Sequence, residues 1–174
     1  MTGRTLRPDS PTGSFDRLGA AARMLLTTDG TVTPMLEQMV VEPIITSQLS
    51  HDTRVSPTDI AAMPQSYRHD RLTARTTQLV GAHSGTVYVH ARSVLVLDAL
   101  PEPLRTDLMT TREPIGRLLR KHRIESFREL LTCSVPDDCP SRGGASRRYR
   151  VFVGGIAALL IEEFFSSACF TRHA

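Results

Sequence analysis

The sequence contains no tryptophan, only six phenylalanines and three tyrosines, and only three cysteines among its 174 residues. The cysteines are odd in number, and no two of them have the C-x-x-C spacing of a zinc or redox site. These features argue against a disulfide framework, and we interpret Cys133 and Cys139 as loop thiols in a reducing compartment. With so few aromatic rings to stack on bases, the chain also lacks the signature of an RNA-binding platform.

Long hydrophobic runs are missing as well. The longest nearly apolar run, Val151–Leu160, has about ten residues, whereas a helix needs about twenty to span a bilayer. Segment 1–16 is polar and lacks the apolar stretch that a secretory signal peptide requires. We therefore expect a cytoplasmic protein without a membrane span.

The common cofactor motifs are also absent. The chain has no G-x-x-x-x-G-K, no G-x-G-x-x-G after a strand, no H-E-x-x-H and no G-x-S-x-G. Its six histidines are dispersed along the sequence without a shared helical face. We therefore expect neither a metal site nor a cofactor.

Positive charge comes almost entirely from arginine. Of the 21 Lys and Arg residues only Lys121 is a lysine, and the net charge is +3. The segment Arg112–Arg150 carries ten basic residues against five acidic ones. Such a surplus suits nucleic acid or an acidic small molecule, and guanidinium groups recognise carboxylates through paired hydrogen bonds. Because no nucleic-acid-binding motif is present, we expect a small-molecule carboxylate as the ligand and no nucleic acid, while the oligomeric state stays open.

Helical periodicity and start signals indicate four helices. Hydrophobic residues make up 40% of the chain, enough for one core, so we expect a single domain at 14–174. Segment 1–13 collects Gly, Pro, Ser and Thr without periodicity, and we expect it to be a flexible leader. A loop or short helix is expected at 50–66. The predicted helices are Phe15–Leu26, Thr33–Met39, Pro101–Met109 and Ile115–Lys121, the last followed by an amphipathic stretch at Ile124–Leu131.

Extended segments rich in β-branched residues complete the pattern. The predicted strands are Val40–Gln48, Arg71–Val80, Thr86–Leu97, Arg147–Val153 and Ile156–Phe165, with a loop at 132–146. Pro43 places the first of them at a sheet edge or a bulge, and Gly154-Gly155 is a sound hairpin turn. The fold class that follows is α+β, with an antiparallel sheet flanked by helices.

Two adjacent glutamates stand in the last predicted strand. Glu162 and Glu163 point to opposite faces, each among apolar neighbours, so at least one is expected to be partly buried. A carboxylate in such surroundings can serve as a general acid or base, or it can form a structural ion pair with an arginine. Arg75 and Arg92, on neighbouring predicted strands, can supply that pairing or hold the carboxylate of a substrate.

Six short segments of the sequence together indicate a protein family by their order and spacing, although none of them is specific for a family by itself. They are DGTVT at Asp29–Thr33, LTARTTQL around Arg75, Ala91-Arg92-Ser93, PIGRLL at Pro114–Leu119, RRYR at Arg147–Arg150, and LLIEEFF around Glu162. Over about residues 18–165, this set resembles the chorismate pyruvate-lyase family, in particular its actinobacterial-type members.

The resemblance implies a chorismate lyase-like fold and a cofactor-independent lyase that eliminates pyruvate from chorismate to give 4-hydroxybenzoate. It assigns carboxylate binding to Arg75 and catalysis to Glu162. The backbone amides near Val32 and Ile115 are expected to meet the product. Arg92 is a weaker match for a second cation, which would bind the enolpyruvyl carboxylate.

Three alternatives remain beside this interpretation. Val32 and Ile161 differ from residues that the family carries at these positions, which favours a pathway-specific lyase, hydratase or cyclase of specialised metabolism acting on a related small acid. A non-catalytic sensor of small acids is the second alternative, because one fold can serve both purposes. A protein that binds anionic lipid or RNA has only the basic segment Arg112–Arg150 in its favour.

Overall fold

A computed structural model describes residues 12–13, 15–63, 71–136 and 144–170. Within these ranges seven strands form one sheet in the order β1-β5-β6-β7-β4-β3-β2. The strands are β1 (Thr12–Gly13), β2 (Ile44–Asp52), β3 (Leu72–Gly81), β4 (Val87–Val96), β5 (Ser126–Val135), β6 (Ala145–Val153) and β7 (Ile156–Phe165). The helices are α1 (Ala20–Thr27), α2 (Val32–Val40), α3 (Pro57–Ala62), α4 (Glu102–Thr110) and α5 (Ile115–Lys121).

Most helices pack against one face of the sheet. Leu25 and Leu36, from α1 and α2, belong to one buried cluster, and Leu104 and Leu118, from α4 and α5, belong to a second. A smaller cluster, which includes Leu160 of β7, packs near α3 on the other face. Residues 94–96 of β4 and 157–161 of β7 are therefore buried on both faces of the sheet, which explains why each is a continuous apolar run. No helix in the described ranges is long and apolar enough to cross a bilayer.

The α+β class is confirmed, as are several individual elements. The hairpins β3–β4 and β6–β7, together with α4 and α5, form where the sequence predicts them. In the second hairpin Gly154 and Gly155 have φ values of 58° and 80°, the left-handed pair that a two-residue turn requires. Strand β2 lies at the sheet edge with an irregularity between Thr46 and Gln48, in agreement with the prediction from Pro43.

The largest correction concerns β5. The sequence predicts an amphipathic stretch at Ile124–Leu131 and a loop at 132–146, whereas Ser126–Val135 forms one strand. This strand pairs antiparallel with β6, and tertiary pairing of this kind overrides weak local propensity. Cys133 is consequently buried within a strand instead of lying in a loop. Residues 137–143, with Cys139, lie outside the described residues.

Smaller differences affect the boundaries. Helix α2 begins at Val32 with Thr31 as N-cap. The sequence predicts Thr33 as the cap and Pro34 as the first helical residue, so the helix begins two residues earlier and Pro34 is its third residue. Thr12–Gly13, at the end of the predicted leader, pair in parallel with β5, while residues 1–11 lie outside the described ones. The segment 50–66, predicted as a loop or a short helix, includes the end of β2 and the short helix α3, and its residues 64–66 are likewise outside the described ones.

Candidate active site

A cavity lies between the helix-covered face of the sheet and the first residues of α2 and α5. Its floor combines charged, hydroxyl-bearing and aliphatic side chains, which suits a small ligand with both polar and apolar parts. The lining residues are Thr31, Val32, Thr33, Arg75, Thr77, Leu79, Ala91, Ser93, Pro114, Ile115, Gly116, Leu119, Arg128, Tyr149, Val151, Ile161 and Glu163.

The sheet register arranges the floor in two adjacent rows. Across β3, β4, β7 and β6, the first row is Arg75, Ser93, Ile161 and Tyr149, and the second is Thr77, Ala91, Glu163 and Arg147. Arg75 and Glu163 therefore stand two strands and one row apart. Neighbouring strands lie about 4.8 Å apart, and adjacent rows lie about 6.7 Å apart along a strand, so the two backbones are separated by roughly 12 Å, which leaves room for a small ring between the two side chains.

Arg75 is a buried cation for which the described residues provide no counterion. It is 1% exposed, and its Nη2 donates hydrogen bonds to the carbonyl oxygens of Glu113 at 2.8 Å and Thr111 at 3.4 Å. Its buried Nε has no hydrogen-bond partner within the part of the chain that the structure describes. No carboxylate of the described residues forms a salt bridge with it. A buried charge without a partner is costly, so this site favours an incoming anion.

The charge of Arg75 persists despite its burial. Burial lowers the pKa of Arg75 to about 10, so the guanidinium remains protonated at neutral pH. At the cavity, a planar group with free donors can bind a carboxylate through paired hydrogen bonds.

Both carboxylate oxygens of Glu163 accept a hydrogen bond from a neighbouring side chain. Arg147 Nε donates to Glu163 Oε2 at 2.6 Å, and the Tyr149 hydroxyl donates to Glu163 Oε1 at 3.1 Å. All three side chains are buried. Hydrogen bonds with this geometry keep the Glu163 side chain in one orientation.

Arg147 connects this carboxylate to the end of α1. Its Nη1 donates to the carbonyl oxygens of Leu25 at 3.2 Å and Thr28 at 2.9 Å. Burial disfavours the charged guanidinium, but the Glu163 carboxylate more than compensates, so the pKa of Arg147 lies above its ordinary value. Burial, reinforced by the charge of Glu163, raises the pKa of Tyr149 as well, so the phenol stays protonated and donates.

The first residues of α2 and α5 cover the cavity and are joined to each other. The N-cap Thr31 makes no side-chain capping hydrogen bond, and Val32 and Ile115 are the first residues of their helices. The first N–H groups of a helix have no partner within it, so those of Val32 and Ile115 can donate to a ligand. Arg117 Nη2 lies 2.6 Å from Glu37 Oε1, which links α5 to α2.

The structure brings together three of the five residues that the sequence singles out. Arg75, Val32 and Ile115 line the cavity, whereas Glu162 and Arg92 do not. On the sheet Glu162 stands between Arg92 and Arg148, in the row facing away from the cavity, and the neighbouring Glu163 lines it instead. The placement that the resemblance implies for Glu162 is therefore off by one residue, which in a strand reverses the face.

Arg92 has a structural partner on the far face. It forms a salt bridge with Asp59 of α3, and Arg148 Nη2 lies 3.0 Å from the other oxygen of the same carboxylate. Burial alone would raise the pKa of Asp59, but hydrogen bonds from Ser56 and Arg92 hold it below its ordinary value. In the structure Arg92 therefore lies away from the cavity, because this side chain connects α3 to the sheet.

Sequence reasoning gave no role to the cavity residues Arg128 and Tyr149, or to Arg147, which donates to Glu163. The sequence does contain a signal for Arg147 and Tyr149, because they are two residues apart in one predicted strand and so share a face. It contains no such signal for Arg128, because the segment around Arg128 was not predicted to be a strand. Within the described ranges, no group of three or more His, Cys, Asp or Glu side chains is placed to hold a metal ion.

Comparison with known proteins agrees with the resemblance. A family model described as "Chorismate pyruvate-lyase Rv2949c-like" matches residues 26–172. A chorismate pyruvate-lyase of Mycobacterium leprae (strain TN) is 30% identical over 181 residues, covering 98% of this chain and 83% of the relative. One from Mycobacterium tuberculosis (strain ATCC 25618 / H37Rv) is 26% identical over 167 residues, covering 88% of this chain and 83% of the relative.

Among solved structures, the effector-binding domain of the B. subtilis trehalose repressor matches with a TM-score of 0.44 and 8% identity, over 74% of this chain and 92% of that chain. That likeness is too distant to bear on function. The family match extends from the end of α1 beyond β7 and so includes every residue of the cavity. The chain belongs to the Rv2949c-like chorismate pyruvate-lyase family, a family of lyases.

Proposed function

We propose that this chain eliminates pyruvate from chorismate to give 4-hydroxybenzoate, in the cavity between Arg75 and Glu163. The observation that carries the proposal is Arg75, a buried guanidinium that faces a cavity and has no carboxylate partner among the described residues. The names of the mycobacterial relatives support the same reaction.

Arg75 binds the ring carboxylate in this proposal. Its unpaired Nε and remaining donors match the planar geometry of a carboxylate, and an anion there offsets the cost of the buried cation. Apolar side chains of Ile161 and Leu119 contact the ring, and the backbone N–H groups of Val32 and Ile115 donate to its polar substituents.

Glu163 handles the proton at the other end of the ring. Elimination breaks the C–H bond at the hydroxyl-bearing ring carbon and the adjacent C–O bond to the enolpyruvyl group. The electrons of the C–H bond complete the aromatic ring, and those of the C–O bond leave with enolpyruvate, which takes up a proton and becomes pyruvate. Glu163, held as a carboxylate by Arg147, accepts the ring proton.

This chemistry asks little of the protein beyond positioning and charge. Forming an aromatic ring makes the elimination strongly downhill, and no electron is transferred to an outside acceptor. Holding the substrate between a fixed cation and a fixed base lowers the barrier through orientation and electrostatic stabilisation. We therefore propose that the reaction proceeds without a cofactor.

The Arg75→Ala and Arg75→Lys variants test the proposal. We expect Arg75→Ala to lower kcat/KM for chorismate by about 100-fold or more and to weaken the binding of 4-hydroxybenzoate, because a charge-assisted bidentate contact is lost. Arg75→Lys restores only part of the activity, since an ammonium lacks the planar fork. Wild-type turnover and binding in Arg75→Ala would contradict the proposed site. Binding without turnover in the wild-type protein would favour the sensor.

A further inference from the structure

The cavity contains a second arginine that the reaction described so far does not use. Arg128, on β5, lines the cavity together with Arg75 and Glu163. We propose that Arg128 binds the second carboxylate of the substrate, the one on the enolpyruvyl group. This inference rests on the proposed function, since it assumes a dicarboxylate such as chorismate.

Arg128 enters the cavity from the side opposite to Arg75. In the strand order β5-β6-β7-β4-β3, these two arginines belong to the outer strands, with Glu163 on the middle one. A ligand with two carboxylates can therefore bridge the cations at the two ends of the floor, and the reacting carbons lie between them, near Glu163.

The Arg128 side chain is fixed but not neutralised. Its Nη1 donates to the carbonyl oxygen of Asp29 at 2.9 Å, just before the start of α2. No carboxylate of the described residues forms a salt bridge with it. A guanidinium has five N–H donors, so the remaining four are available to an anion. The single main-chain contact orients the group without satisfying its charge.

The uncompensated positive charges at the cavity complement a ligand with two negative charges. Arg147 neutralises Glu163 through their 2.6 Å contact, which leaves the charges of Arg75 and Arg128 uncompensated among the residues around the cavity. Two unpaired cations complement a substrate with two carboxylates better than a product with one. On this basis Arg128 favours chorismate over 4-hydroxybenzoate and so limits the time that product occupies the site.

Arg128 also takes the place for which the sequence suggested Arg92. That residue is bound to Asp59 on the far face of the sheet, whereas Arg128 shares the cavity with Tyr149. Arg128 pairs with Val151 of β6, which lies two residues from Tyr149 on the same face of that strand. The cation for the enolpyruvyl carboxylate is thereby placed beside the hydroxyl group that orients Glu163.

The test compares a dicarboxylate with a monocarboxylate. In Arg128→Met we expect the KM for chorismate to rise by about 30-fold or more, while the Kd for 4-hydroxybenzoate, measured by calorimetry, changes less than threefold. Arg128→Lys regains at least part of the loss, because a charge is restored. Arg120→Met is the matched control, since Arg120 is exposed at the end of α5 and does not line the cavity.

Three outcomes overturn the inference. One is an unchanged KM in Arg128→Met, and another is an equal loss of affinity for both ligands, which would indicate a general change of the site. The third is a rise of the KM for chorismate in Arg120→Met that equals the rise in Arg128→Met. If the wild-type protein binds chorismate without converting it, the proposed function fails, but the affinities for the two ligands still decide the role of Arg128. If the wild-type protein binds neither ligand, both proposals fail.

Discussion

Arg147 Nε lies 2.6 Å from Glu163 Oε2, and side-chain exposure is only 1% for Arg147 and 8% for Glu163. The arginine also donates to two carbonyl oxygens at the end of α1, so its position is determined by the backbone and not by the carboxylate alone. A buried pair of this kind fixes the direction of the carboxylate, which is what a proton acceptor in a cavity requires.

The first prediction separates the two neighbouring glutamates. Glu163→Gln keeps the side-chain volume but removes the negative charge, so we expect turnover to fall by about 100-fold to 10,000-fold while 4-hydroxybenzoate binding remains measurable. Glu162→Gln, on the opposite face, is expected to change turnover less than about tenfold. A pyruvate assay and calorimetry on both variants provide the measurements. The reverse ranking would mean that β7 presents its other face to the cavity.

The second prediction concerns Arg147 as a positioning residue. Arg147→Lys keeps the charge but loses the fork that reaches both Glu163 and the α1 carbonyls, so we expect kcat to fall by roughly tenfold or more with little change in KM. Arg147→Met leaves a buried carboxylate unpaired and is expected to cost about 3–5 kcal/mol in the free energy of unfolding. Adding Glu163→Gln to Arg147→Met removes the stranded charge.

We expect that double variant to be more stable than Arg147→Met alone, yet inactive. Steady-state kinetics and urea unfolding of the three variants provide the readouts. If Arg147→Lys raises KM and leaves kcat unchanged, Arg147 does not act through the orientation of Glu163.

A third prediction uses the close approach of two helix starts. A Cβ added at Gly116 would lie 2.3 Å from Thr31 Cγ2, which forces α5 and α2 apart where both meet the cavity. We expect Gly116→Ala to raise the KM for chorismate several-fold, because the N–H groups of Val32 and Ile115 move. Thr31→Ala makes room, so the double variant should recover. Equal KM values in Gly116→Ala and the wild type would show that the helices adapt without consequence.

The fourth prediction is a pH dependence of stability. Glu42 accepts hydrogen bonds from Ser84, His83 and Tyr88, and chiefly the Ser84 hydroxyl lowers the pKa of Glu42 from 4.5 to about 2. A carboxyl whose pKa is lower in the folded state stabilises the fold above pH 4.5, and this contribution is lost as the pH falls toward 2. We expect the loss of stability between pH 6 and pH 3 to be smaller in Glu42→Gln than in the wild type.

Urea midpoints at the two pH values measure this difference. Glu102→Gln, at an exposed position in α4, is the control and should keep the wild-type pH dependence. The same steep loss in Glu42→Gln as in the wild type would mean that other carboxyl groups govern acid unfolding.

The sequence predicts the β6–β7 hairpin but not which glutamate faces the cavity. From the Gly154-Gly155 turn, Phe152 pairs with Ala157, and continuing that register would pair Arg147 with Glu162. The register shifts by one residue between Val151 and Phe152, so Arg147 pairs with Glu163 instead. Such a bulge depends on packing across the whole sheet and leaves no local signal in the sequence.

Long-range pairing explains the other differences too. Arg75 could be assigned to the site because its strand and its family motif are both readable from the sequence. The sequence could not exclude Arg92 from the site, because its salt-bridge partner Asp59 lies 33 residues away in a segment without clear periodicity. Arg128 was missed because its strand becomes evident only when it pairs with β6.

The most direct test of the central claim is to incubate the purified full chain, treated with EDTA and dialysed, with chorismate and to quantify both products. Pyruvate is measured with a coupled dehydrogenase and 4-hydroxybenzoate by chromatography, with Glu163→Gln as the inactive control. We predict equal amounts of the two products at a rate that the chelator does not change. An absence of turnover, a requirement for a divalent ion, or pyruvate released without 4-hydroxybenzoate would contradict the account.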